Sequence, residues 1–69
     1  MWTEELQQQT KELFEKQNGA FMKHFGDGKF GICILVDGTY TIHGIGESKN
    51  DRWMYQSIEE MIGNGWVID

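Results

Sequence analysis

The residues of this chain that could do chemistry are one thiol, two imidazoles and a set of carboxylates. Cys33 is the only cysteine, and His24 and His43 are the only histidines. A thiol and an imidazole act together as nucleophile and base only when the two side chains are within hydrogen-bond reach. The elements that carry Cys33 and the histidines therefore decide whether such a pair exists.

The segment that carries Cys33 and His43 has the pattern of a β-hairpin. Residues 29–46 are two apolar runs joined by Asp37-Gly38, and this pair tolerates the positive φ angles of a type I′ turn. A two-residue loop places Ile32 opposite His43, so Cys33 points to the other face of the hairpin. The pattern argues against a thiol–imidazole pair within one subunit and predicts that Cys33 is a packed core residue.

The remaining patterns do not indicate a catalytic or metal site. Gly26, Gly28 and Gly31 match G-x-G-x-x-G, but the dinucleotide motif needs a strand before the glycines and a helix after them. Here we expect a helix before and a strand after. No histidine, cysteine or carboxylate spacing is that of a metal site. We therefore expect a non-enzymatic protein with no catalytic residue, no metal and no cofactor.

The charge of the chain restricts its partners. A formal net charge of −5 on 69 residues argues against direct binding to nucleic acid, which needs basic patches, and against an anionic membrane surface. It favours a larger, basic protein as partner. The lone thiol and the absence of a signal-like amino terminus lead us to expect a cytoplasmic location.

Two helices and a third strand are expected around the hairpin. Apolar residues recur at helical spacing over residues 3–25, with Thr3 as the cap, and over residues 51–62, with Asn50 or Asp51 as the cap. Residues 66–68 have the pattern of a short last strand. The order α-β-β-α-β predicts a single α+β domain over residues 1–69. Its three-stranded, mostly antiparallel sheet has the order 2-1-3, with both helices packed on one face.

Helices on one side leave the other face of the sheet partly bare. The hairpin register puts an apolar set on that face: Phe30, Ile32, Ile34, Val36 and Ile45. A chain this short has a thin core, and small domains often gain stability by association. A homodimer through the open sheet face is therefore one hypothesis.

Aromatic residues near carboxylates point to a second surface. Trp53 lies off the apolar arc of the second predicted helix, beside acidic residues, and Trp and Tyr are frequent anchors of protein interfaces. We predict that the partner-binding residues are Tyr40, Glu47, Asp51, Trp53, Glu59 and Glu60.

Together these features predict a small acidic protein–protein interaction domain. In size and charge the chain is similar to small phage inhibitors of host nucleases, anti-CRISPR proteins included. That likeness implies an inhibitor that presents carboxylates where phosphates would sit, on a nucleic-acid-binding or defence protein. Two alternatives stay open. One is a small homo-oligomer that binds a small molecule on the open sheet face with His43 and Thr41, and the other is a small nuclease or toxin that uses the histidines and Lys29.

Overall fold

The computed structural model describes residues 1–69 as one antiparallel sheet with two α-helices and a 3₁₀ turn. The sheet has five strands in the order β4-β3-β2-β1-β5, and every neighbouring pair is antiparallel. In chain order the elements are α1 (Glu4–Lys16), β1 (Gly19–His24), β2 (Phe30–Val36), β3 (Thr39–Ile45), the 3₁₀ turn (Gly46–Ser48), β4 (Arg52–Tyr55), α2 (Ile58–Gly63) and β5 (Trp66–Ile68).

The predicted hairpin is confirmed in its turn and in its register. Asp37 and Gly38 have φ angles of 50° and 80°, as a type I′ turn requires. Val36 lies opposite Thr39 and Ile32 lies opposite His43. The alternation that follows from this register separates the side chains of β2 and β3 into two faces.

The first predicted helix is too long. Thr3 is its cap as expected, since its side-chain oxygen accepts a hydrogen bond from the Leu6 amide at 3.2 Å. The helix ends at Lys16, however, and Gly19–His24 form β1. The strand is favoured because it hydrogen-bonds to β2 on one side and to β5 on the other, whereas Gly19 inside a helix costs about 1 kcal/mol relative to alanine.

The second predicted helix is also wrong in its first half. Residues Arg52–Tyr55 form β4, and neither Asn50 nor Asp51 caps a helix. Ser57 is the cap of α2, and its hydroxyl accepts from the Glu60 amide at 3.1 Å. Ser57 and Glu60 have the spacing of a capping box, a sequence signal that locates the true helix start.

The predicted three-stranded sheet in the order 2-1-3 is therefore incorrect. The hairpin strands and the last strand are present, but β1 lies between β2 and β5, and β4 extends the sheet beyond β3. The α+β class holds. The sheet is wider than predicted because two segments with mixed apolar patterns gain backbone hydrogen bonds from distant residues.

The core lies on one face of the sheet, which we call the inner face. Each strand contributes to it, and both helices pack side chains against it: Phe14, Met22, Cys33, Ile42, Tyr55, Met61 and Trp66. The helix α1 also covers the outer edge of β5. The buried Thr10 hydroxyl accepts from the Ile68 amide at 3.1 Å and donates to the Leu6 carbonyl at 2.9 Å. That contact satisfies an edge-strand donor.

The close approach of β3 to the 3₁₀ turn generates a stability prediction. The Ser48 carbonyl oxygen occupies the place of a Cβ on Gly44, and Ser48 is itself held by the hydrogen bond from the Asp51 amide at 2.8 Å. We expect Gly44→Ala to lower the free energy of unfolding by about 2–4 kcal/mol. The matched control is Gly63→Ala in α2, where no atom lies within 4 Å of the added Cβ. Urea denaturation followed by tryptophan fluorescence measures both, and equal midpoints would contradict the prediction.

Candidate functional site

The face of the sheet opposite the core is open, and it is largely apolar. Six large apolar side chains on it are exposed, from 36% for Ile45 to 62% for Phe21. Contiguous exposed apolar patches of this extent are often functional in small proteins. We define the open face by the strand residues of β1 to β4 that share it, namely Gly19, Phe21, Lys23, Phe30, Ile32, Ile34, Val36, Thr39, Thr41, His43, Ile45, Arg52 and Met54. Val67 of β5 points to the same side but is fully buried.

Charge is distributed unevenly between the open face and the rest of the molecule. The five strands contain no aspartate or glutamate. Their only lysine and arginine are Lys23 and Arg52, which both lie on the open face near its margins. The Lys23 ammonium is turned toward the Trp2 ring, 4.9 Å from its centroid. The centre of the open face therefore carries no formal charge.

An apolar groove runs along β1 at the margin of the open face. It has a volume of about 470 Å³ and is lined by seven apolar and three other residues, among them Leu13, Gly19, Phe21, Ile34 and Ile68. Gly19 leaves space there because it has no side chain. Neither Thr41 nor His43 lines this groove, so the residues named for the small-molecule alternative lie away from it.

Two of the predicted partner-binding residues are anchored in the core. The Tyr40 ring packs edge-on against Phe14 with centroids 5.5 Å apart, and the Trp53 ring lies 5.0 Å from Trp66. Both side chains are half-buried on the inner face. Substitution of Trp53 would therefore change stability as well as any surface contact.

The four predicted carboxylates are exposed and lie at the two ends of β4. Glu59 and Glu60 are in the first turn of α2, while Glu47 and Asp51 line a polar cavity of about 560 Å³ at the other end. The distance from Asp51 to Tyr55 along the strand is about 13 Å at the usual rise per residue. We call these four carboxylates, together with the outer side of β4, the acidic edge.

The pKa values of Tyr40 in β3 and Tyr55 in β4 are affected by the carboxylates of α2. Burial raises the pKa of Tyr40, and the negative charge of Glu59 raises it further. Burial also raises the pKa of Tyr55, against a hydrogen bond from Trp66 that lowers it, and Glu60 adds a further upward contribution. Glu59 therefore acts electrostatically on Tyr40, and Glu60 acts on Tyr55.

Most carboxylates of the chain have no cationic partner. Asp27 is the one carboxylate within 4.0 Å of a basic side chain, with its oxygens 3.9 Å from the Lys29 Nζ and 3.2 Å from the His24 Nδ1. The other ten of the eleven acidic side chains, including all four of the acidic edge, make no ion pair. Each of these ten carboxylates therefore has no cationic group of the molecule within ion-pair distance.

His24 lies in a different environment from the one its sequence position suggested. The helix predicted over residues 3–25 would place His24 near its carboxyl end. In the structure His24 lies on β1, with its ring 4.8 Å from Trp66 on the inner face. Its Nε2 donates to the Asn64 carbonyl at 2.7 Å, and its Nδ1 faces the Asp27 carboxylate. The two histidines are on opposite faces of the sheet, so they do not share a site within one subunit.

Cys33 is a core residue, as predicted. It is fully buried, and its Sγ lies 3.8 Å from the Met61 Sδ. Burial raises the pKa of the thiol to about 12. His43 lies on the open face and Cys33 on the inner face, and no group of three His, Cys, Asp or Glu side chains is placed to hold a metal ion.

The three glycines of the G-x-G-x-x-G match belong to a hairpin. Gly26 and Gly28 have φ angles of 90° and 68° in the turn between β1 and β2, and Gly31 is inside β2. No helix follows them, so the helix amino terminus that would face a phosphate is not there. The helix expected before the glycines is replaced by β1.

None of the helices is long and apolar enough to cross a membrane. No protein-family model, curated protein or solved structure matches the chain significantly.

The buried thiol generates a prediction on the pH dependence of stability. In the unfolded chain the thiol ionises near 9.0, whereas in the folded protein it ionises at about 12. Between these values the folded state retains the proton that the unfolded state has released, so the free energy of unfolding falls as pH rises. We expect Cys33→Ala to cost about 1–2 kcal/mol at neutral pH and to make that alkaline decline shallower.

Guanidinium unfolding curves at a series of pH values from 8 to 11 would measure this difference. Alkylation by iodoacetamide is a second readout, because a buried neutral thiol reacts only through unfolding. Rapid labelling of the native protein at pH 8, or identical pH profiles for the two proteins, would contradict the prediction.

Proposed function

We propose that this chain is a non-enzymatic protein–protein interaction domain that binds a basic partner along the acidic edge. The observation that carries the proposal is the placement of four exposed, unpaired carboxylates at the two ends of an edge strand. Two carboxylates at each end give a partner two separate points of charge contact. Two such points determine orientation as well as affinity.

The uncompensated charge supports a partner of opposite sign. A formal net charge of −5 attracts a basic surface over distances of about the Debye length, ~8 Å at physiological ionic strength. Carboxylates that already formed ion pairs within the molecule would lose those pairs on binding. The carboxylates of the acidic edge form none, so they are available to cations of a partner at no such cost.

The backbone of β4 supports the same location. β4 is the terminal strand of the sheet on one side, so the outward N–H and C=O groups of Arg52–Tyr55 have no strand partner. An extended basic segment that pairs with this strand would gain main-chain hydrogen bonds between the two carboxylate pairs. The opposite edge, β5, is covered by α1 through Thr10, which makes β4 the accessible edge.

The likeness in size and charge to small phage inhibitors leads to a finer version of the proposal. A protein that binds nucleic acid has a groove of lysines and arginines, and the carboxylates of the acidic edge would occupy phosphate positions in such a groove. We propose this class of partner, a host nucleic-acid-binding or defence protein, because its basic groove complements the unpaired carboxylates. Binding then blocks the groove without any catalytic step.

A pair of matched double variants tests the proposal. Glu59→Lys with Glu60→Lys reverses charge on the acidic edge in the first turn of α2. Glu4→Lys with Glu5→Lys makes the same change in the first turn of α1, so both variants suffer a similar helix-dipole penalty. Immobilised wild-type protein and both variants are exposed to a bacterial lysate, and the captured proteins are quantified by mass spectrometry. We expect a basic protein whose capture falls at least about ten-fold with the α2 variant and changes little with the α1 variant.

Binding kinetics with the captured protein provide the second measurement. Charge reversal should mainly slow association, and the difference from wild type should shrink as salt rises. If the α1 and α2 variants lose binding equally, the contact is non-specific attraction to an acidic protein. If neither loses binding, the acidic edge is not the binding surface.

A further inference from the structure

We propose that the open face is covered by a second copy of this chain, packed face to face as a twofold-symmetric dimer. This inference concerns a different surface from the acidic edge and does not depend on the proposed function. It rests on the area of the open face, on the distribution of charge around it, and on the match between an exposed side chain and a groove at the margin of that face.

The area of the open face is that of a stable interface. Its six exposed apolar side chains, Phe21, Phe30, Ile34, Val36, Ile45 and Met54, are each between 36% and 62% accessible. When these fractions are multiplied by the usual surface areas of such side chains, the six residues expose roughly 600 Å² per copy. If these side chains are fully covered, two copies bury about 1,200 Å² through them, which is the lower bound of standard protein interfaces.

The charge distribution favours a second copy as the occupant. All eleven carboxylates lie on helices, turns and the carboxyl terminus, and none lies in a strand. Contact between two copies through any of those segments brings uncompensated negative charges together. The strand residues of the open face include no carboxylate, and Asp69 lies only at its margin, where it lines the groove. The centre of this face is therefore the surface through which two copies of a −5 chain approach with least repulsion.

The open face has a projecting side chain and a depression that complement each other. Phe21 is its most exposed large apolar residue at 62%. Gly19, two residues earlier on the same strand, lines the groove of about 470 Å³ at the margin of the face, which Leu13 and Gln17 of α1 and Asp69 also line. A twofold axis in the plane of the interface and perpendicular to the strands passes near Ala20. That axis inserts Phe21 of each copy into the groove beside Gly19 of the other.

The same axis pairs the remaining rows of the two sheets. In each copy one row runs across Ile34 and Thr41, and the next runs across Ile32 and His43. The axis packs Ile34 over Ile32 of the second copy and places Thr41 over His43, while on the outermost strand it places Met54 over Arg52. Sheets packed in this way lie about 10 Å apart with their strands nearly aligned.

The two cations of the open face lie at the rim of this arrangement. Lys23 interacts with the Trp2 ring of its own chain, and Arg52 lies on the outermost strand, where it is exposed. An apolar centre with a polar rim is the usual organisation of a protein interface. The acidic edge stays accessible in both copies, so the dimer presents two of them.

The mass of the purified full chain in solution tests the dimer. Multi-angle light scattering and sedimentation equilibrium are measured from micromolar to millimolar concentration. For wild type we expect twice the chain mass of 8.0 kDa. Phe21→Ala removes the projecting ring, Gly19→Val fills the depression, and Ile34→Lys places a charge at the centre. Each should raise the dimer dissociation constant at least a hundred-fold and yield the monomer mass.

Gln8→Lys on the exposed side of α1 is the charge-matched control, and it should leave the dimer intact. Circular dichroism establishes that each variant is folded, and Phe21→Ala is the safest of them because the side chain is mostly exposed. Binding of the dye anilinonaphthalene sulfonate reports the accessible apolar surface, which should be small for wild type and large for the monomeric variants.

A wild-type mass of 8.0 kDa across the whole concentration range would overturn the proposal. Strong dye binding by that monomer would then assign the open face to a different occupant, such as an apolar ligand in the groove. A dimer that persists in folded Ile34→Lys would place the interface elsewhere and would also overturn it. None of these outcomes depends on whether a basic partner is captured through the acidic edge.

Discussion

The pairing of β2 with β3 is the constraint from which the rest of the structure follows. Side chains in a strand alternate between two faces, so a slip of one residue in this pairing would exchange the faces. If β3 slipped relative to β2, Ile42 would point outward, and Thr41 and His43 would enter the core beside Cys33. The residues of β2 are apolar on both faces and do not choose between these arrangements. The Asp37-Gly38 turn, with both φ angles positive, sets the register, and the polar residues of β3 agree with it.

A single register produces two sheet faces with different properties. The inner face packs against α1 and α2 and contains the fully buried Cys33 and Met22. On the open face six large apolar side chains are exposed to solvent, which is a large apolar area for a monomer of this size. The carboxylates lie outside the strands, so the molecule has an apolar surface and a separate acidic one. The two proposals assign one surface to a second copy and the other to a basic partner.

The two edges of the sheet differ in whether another element covers them. The β5 edge is covered by α1, where the buried Thr10 hydroxyl accepts a strand amide. The β4 edge has no such cover, although uncovered strands invite unwanted pairing. Its short length of four residues and the carboxylates at both of its ends limit that pairing to segments of suitable charge. The covered edge thus stabilises the fold, and the uncovered edge is the site of the proposed partner contact.

Local signals in the sequence determined the hairpin, the Thr3 cap, the last strand and the buried thiol, because each depends on residues close together in the chain. They also predicted that four carboxylates are exposed and available for partner binding, namely Glu47, Asp51, Glu59 and Glu60. Only the tertiary structure decided that residues 19–24 and 52–55 are strands, since their backbone hydrogen bonds come from distant segments. Their apolar residues fit a helical arc nearly as well as an alternating pattern. The long-range pairing of β4 with β3 turned Trp53 toward the core, and no spacing within the sequence indicates that contact. The hairpin register, in contrast, already places Tyr40 on the same face as Cys33.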